Sequence, residues 1–147
     1  MSANLHEPMT EREFPATLAG LEEARQHVLA AARAIGCPDD LLFNLELATE
    51  EMLANIVNYA YQGRPPGTMT VACGRDGATG FRLVLRDAGQ PFDPTEQPPP
   101  VLDGPLEERP IGGLGVFLTR QVSESCTYRR DGACNELTIV FRPAPPA

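Results

Sequence analysis

Three short segments carry residues whose types and spacing could do chemistry together. The first is LATEEMLANIVNYAYQ, where Glu51, Asn55, Asn58 and Gln62 recur at steps of three and four. On a helix that spacing points their side chains the same way. Two apolar stripes flank the line, with Leu41, Leu45, Ala48, Met52, Ile56 and Tyr59 in one and Leu42, Leu53, Val57 and Ala60 in the other. A carboxylate and amides so flanked are partly desolvated and need partners. A hydrated magnesium ion, a hard cation that takes oxygen ligands, is one such partner. An ordinary solvated helix face is the alternative.

The second segment is FRLVLRDAG. Phe81, Leu83 and Leu85 alternate with Arg82, Val84 and Arg86, and Asp87 continues the apolar phase. Period-two geometry therefore sends its carboxylate toward the core, where it needs a donor. It could cap its own turn through the amides of Ala88 and Gly89. It could instead accept a hydrogen bond from a ligand such as an adenine amino group, with Gly89 leaving room for close approach. The third segment, IGGLGVFLTRQVSE, runs a glycine-rich turn into an amphipathic helix. Amides exposed at a helix N-terminus suit phosphate oxygens, although the same turn could be a hinge or a plain helix entry.

All 12 basic residues are arginine. The absence of lysine excludes a Schiff-base lysine and a phosphate site built on the lysine of a P-loop. The formal charge is −8 and no basic cluster is longer than the Arg129–Arg130 pair, so nucleic acid and an anionic membrane, which need a basic face, are not expected partners. Cys37, Cys73, Cys126 and Cys134 share no C-x-x-C spacing, and His6 and His27 are the two histidines, so a metal cage or redox motif is not expected. The start MSANLHEPMTERE lacks the charge and apolar run of a signal peptide. A cytoplasmic protein with free thiols is the expectation.

In this order, the three segments resemble the ATP-binding fold shared by gyrase, the MutL proteins and sensor histidine kinases, the GHKL type. Within that fold they are most similar to the anti-sigma-factor serine/threonine kinases. LATEEMLANIVNYAY resembles the N-box, with its E-x-x-x-N core at Glu51 and Asn55 and the closing Ala60–Tyr61. RDAGQPFDP resembles the next box through Asp87, Gly89, Pro91, Phe92, Asp93 and Pro94. RPIGGLGVFL resembles the glycine box at Gly112, Gly113, Leu114 and Gly115. The likeness runs from about Phe14 to Phe141.

The resemblance implies roles. Glu51 would activate the attacking hydroxyl or water, and Asn55 would hold magnesium. Asp87, with Gly89 beside it, would read the adenine amino group. Gly112, Gly113, Leu114 and Gly115 would sit against the phosphates of ATP, residues 95–111 would form the ATP lid, and Asn58 is counted with the nucleotide-binding residues. The implied activity is transfer of phosphate from Mg-ATP to an anti-anti-sigma partner, with a sigma factor as a second partner and a homodimer as the assembly. Two other readings are a nucleotide-gated binding module that transfers no phosphate and a stand-alone ATP-binding domain serving a phosphorelay. The chain departs from the family at Tyr59, where histidine is frequent, and at Glu136, where a small hydroxyl residue is frequent. Its lid is also long and proline-rich.

The elements that must position these groups follow from pattern. Residues 1–12 and 143–147 read as flexible tails of a single domain spanning 1–147. Phe14 to Leu18 reads as an edge strand, Leu21 to Ile35 as a helix, and Asp39 or Asp40 as the cap of a second helix reaching about Tyr61. Thr68–Cys73 and Phe81–Arg86 read as paired strands, Gly113–Glu124 as a helix, and Cys126–Arg130 with Cys134–Arg142 as a hairpin around Asp131–Gly132. The order β-α-α-β-β-loop-α-β-β predicts an α+β two-layer sandwich, with helices on one face of a mixed, mostly antiparallel sheet.

Overall fold

The computed structural model describes residues 9–96 and 113–143. Gly112 and all but the first two residues of the expected lid lie outside the described residues, as do the burial of Gly113 and the side chain of Leu114. The chain begins in strand β1 (Met9–Pro15), followed by helices α1 (Leu18–Ala34) and α2 (Asp39–Asn55), the latter continued by a π-helical turn over Ile56–Ala60. Strands β2 (Thr68–Asp76) and β3 (Gly80–Asp87) follow, then a short 3-10 turn at Pro94–Glu96. Helix α3 (Gly113–Val122) leads into the hairpin of β4 (Ser125–Asp131) and β5 (Cys134–Phe141).

The five strands line up in the order β1-β2-β3-β5-β4. All four described pairings are antiparallel, so the expected mixed sheet is antiparallel throughout its described part. Alternation sets its two faces. Phe81, Leu83, Leu85 and Asp87 of β3 point inward, as do Asn135, Leu137, Ile139 and Phe141 of β5. Against them pack Ala24, Val28 and Ala32 of α1 and Leu41, Leu45, Ala48 and Met52 of α2, which form one apolar core. The other sheet face carries charge, with Arg86 paired to Glu136 at 2.6 Å and Arg82 to Asp76 at 2.6 Å.

Several boundaries differ from the pattern reading, each for a local reason. Met9–Arg12, expected as tail, extend β1 because β2 offers them partners as far as Gly74. Helix α1 starts at Leu18 rather than Leu21, since Thr17 caps it by accepting the Gly20 amide at 3.1 Å. The cap of α2 is Pro38, with no side-chain hydrogen bond. Asp39 and Asp40 lie inside the first turn instead, where their charge opposes the positive end of the helix dipole.

Candidate functional site

Asp87 ends β3 on the inner face and is 8% exposed. Its Oδ1 accepts from the Gly89 amide at 2.8 Å and from Asn135 Nδ2 at 2.9 Å. The turn-capping role and a ligand role are therefore compatible, because one oxygen serves the turn. Oδ2 has no hydrogen-bond partner among the described residues, and Asp87 lines a pocket walled by Met52, Ile56, Leu85, Phe92 and Leu137. Apolar walls around one free acceptor suit a flat group that brings an N–H donor. The cavity measures about 40 Å³, room for very few waters, so a planar base would displace side chains that line it, Phe92 and Tyr128 among them.

The loop after Asp87 is pinned to the end of the second helix. In a π-helical turn the backbone pairing widens, and carbonyls near its end become available to other donors. Gln90 uses two of them, its amide on Ala60 O at 2.9 Å and its Nε2 on Tyr59 O at 2.8 Å. Gly89 lies so close that a Cβ there would stand on the Ala60 carbonyl. The near approach that Gly89 permits is thus to the protein's own helix. Tyr61 closes the arrangement, accepting from the Ala88 amide at 2.9 Å and donating to Thr68 O at 2.6 Å. Arg64 lies over the Tyr61 ring and donates to Ala88 O at 3.0 Å. Burial pushes the Tyr61 phenol above its ordinary pKa, which keeps it a donor.

Glu51 and the glycine turn also meet. Gly115 is buried in the first turn of α3, and a Cβ on it would overlap Glu51 Oε2. The amides that open α3 have no partner within their own helix, so the Glu51 carboxylate stands beside an intrinsically anion-seeking end. Asn55, one turn further along α2, is half-buried, and its amide makes no hydrogen bond among the described residues. Asn58 falls in the π turn, is exposed, and is carried off the straight line that a regular helix would give. Arg120 of α3 donates to Thr95 O at 3.1 Å, tying the helix to the turn in which Asp93 Oδ1 accepts from the Thr95 amide at 2.8 Å.

The residue that sequence reasoning missed is Asn135. It is 6% exposed and pairs with Asp87 across β3 and β5. Its phase with Leu137, Ile139 and Phe141 was the available signal. Glu136, the position compared with the family's small hydroxyl, faces the opposite side of the sheet, where it binds Arg86 and Arg129. Among the described residues no cluster of three or more His, Cys, Asp or Glu could hold a metal. All four cysteines are free, and burial raises the Cys126 thiol to about 11. No helix among the described residues is long and apolar enough to cross a membrane.

The chain belongs to the histidine kinase-like ATPase domain family, which is matched over residues 14–141. A curated relative, the serine/threonine-protein kinase BtrW of Bordetella bronchiseptica, is 31% identical over 71% of this chain and 73% of its own length. The fold is shared with a solved Mycobacterium tuberculosis chain containing RsbU and RsbW domains, with a TM-score of 0.67 at 17% identity over 96% of this chain. This chain spans about a third of that protein, 34% of its length. A blue-light activated histidine kinase of Erythrobacter litoralis gives a TM-score of 0.57 at 17% identity, covering 84% of this chain and 41% of its own.

Proposed function

We propose that the chain binds Mg-ATP and acts as an anti-sigma-factor type serine/threonine protein kinase, phosphorylating a small anti-anti-sigma protein. The observation that carries this reading is the contact of Glu51 with Gly115, which holds a candidate base against the helix end that suits phosphate. The free Asp87 oxygen in an apolar pocket supports adenine as the base, and the kinase relative supports the reaction class.

Asn55 fits magnesium by the chemistry of its amide oxygen, half-buried on a line with Glu51 and free of other partners among the described residues. The ion would supply charge neutralisation at the phosphates. In the transfer itself the serine or threonine oxygen forms a bond to the γ-phosphorus, and the bond to the β–γ bridging oxygen breaks, leaving ADP. The hydroxyl proton goes to the Glu51 carboxylate. The amides of Gly113, Leu114 and Gly115 would donate to phosphate oxygens. A sigma factor as second partner, a homodimer and a cytoplasmic location belong to the same reading.

The test incubates the protein with γ-labelled ATP and candidate antagonist proteins encoded beside it. Label is expected on serine or threonine of one of them. A verified partner that binds tightly in the presence of ATP yet is never phosphorylated would replace the kinase with a nucleotide-gated binder.

A further inference from the structure

We infer that Asn135 is the positioning residue that makes Asp87 selective for an exocyclic amine. The inference rests on the reading of Asp87 as the base-contacting carboxylate. Asn135 has two ends with opposite surroundings. Its Oδ1 accepts from Tyr128 Oη, from Arg130 Nη1 at 3.1 Å and from the Phe92 amide at 3.3 Å. Its Nδ2 donates to Asp87 Oδ1 at 2.9 Å and to Gln90 O at 2.8 Å. Reversing the amide would set its NH₂ among three donors and its oxygen against a carboxylate, so only one orientation is satisfied.

That orientation has a consequence at Asp87. With Oδ1 saturated by Gly89 and Asn135, the carboxylate cannot rotate without breaking two hydrogen bonds in a buried place. Oδ2 is then left as the fixed, free acceptor of a residue that lines the pocket. A 6-amino purine brings the donor it needs, whereas a 6-oxo purine sets its carbonyl oxygen, a second acceptor, against Oδ2. Arg130 also donates to Gly89 O at 2.9 Å, so the β4–β5 hairpin and the Asp87 loop are locked as one unit. The charged and titratable groups near this pair among the described residues include Arg130 and Tyr128 on β4, Tyr61 and Arg64 at the helix end and Cys134 beside Asn135. Helix α2 presents the apolar Met52 and Ile56.

The test compares ATP with ITP, which differ at the 6-position and share the triphosphate. Calorimetric titration of the wild type should favour ATP by roughly 10–100-fold. Asn135→Ala should lower ATP affinity and leave ITP affinity nearly unchanged, bringing the preference to within about threefold. A packing role alone would weaken both ligands equally and keep the ratio. Asn135→Leu, which keeps the bulk and removes both ends of the amide, should bring the ATP:ITP ratio down in the same way. An unchanged ratio in Asn135→Ala overturns the inference, as does an unchanged ratio in a folded Asn135→Leu if melting shows Asn135→Ala unfolded. A wild type with no preference for ATP sinks the reading of Asp87 and the inference together, whereas failure confined to the variants sinks only the inference.

Discussion

Glu51 and Asp87 are both carboxylates, and their neighbours give them different tasks. Glu51 borders the first turn of α3, while Asp87 is buried along an apolar pocket with one oxygen engaged and the other without a partner among the described residues. Removing charge while keeping shape separates the two. Glu51→Gln should retain most ATP affinity and lose phosphoryl transfer by about 10²–10⁴-fold, the usual span for a general base, as read by single-turnover transfer beside a nucleotide titration. Parallel loss of binding and transfer would make Glu51 an anchor instead. Asp87→Asn should weaken ATP by roughly 1–3 kcal/mol, since an amide there keeps its oxygen on the Gly89 and Asn135 donors only by turning its NH₂ toward the ligand's amine. Equal binding of ATP and GTP by the wild type would refute adenine reading.

At the scale of elements, two glycines mark close approaches of different kinds. The atom that blocks a side chain at Gly89 is a backbone carbonyl in the π turn, which cannot move without unwinding Gln90 from Ala60. Gly89→Ala should therefore destabilise the fold by about 1–3 kcal/mol, seen as a melting temperature lower by several degrees. The atoms nearest a Cβ at Gly115 belong to the carboxylate end of Glu51, which can shift aside where a backbone carbonyl cannot, with the Glu51 Cβ behind them at 3.1 Å. Gly115→Ala should leave the melting temperature within about 2 °C and cost transfer more than ATP affinity, because the base is pushed aside. If Gly115→Ala melts as low as Gly89→Ala, the α2–α3 contact is structural.

Across the whole molecule, the response to pH tests how α1 is seated on the sheet. His27 packs its ring 5.8 Å from that of Phe14 and touches Thr10 of β1. Burial, assisted by the Arg12 charge, lowers its pKa from the ordinary value near 6.5. The unfolded chain then binds that proton more readily than the folded one. Stability from this group is whole above about pH 6.5 and falls as pH drops toward the lower folded value. Replacing the ring by His27→Gln should flatten the fall in melting temperature between pH 7 and pH 5. An identical slope in both proteins would assign it to carboxylates alone.

Much of this protein is a consequence of short-range pattern. The alternation in Phe81–Asp87 put the aspartate on the inner face, the three- and four-residue steps of α2 put Glu51 and Asn55 on one line, and Asp131–Gly132 marked the last hairpin. These features depend on periods within a single element, which a sequence carries in full. What the fold alone decided depends on atoms far apart in the chain. Asn135 meets Asp87 because β5 pairs with β3 across an intervening helix and strand, and a shift of one residue would have turned Glu136 inward in its place. Gly89 serves Ala60, and Gly115 serves Glu51, because the π turn and the α2–α3 packing bring those backbones together. Such contacts are set by register and by helix packing, which local periodicity does not encode.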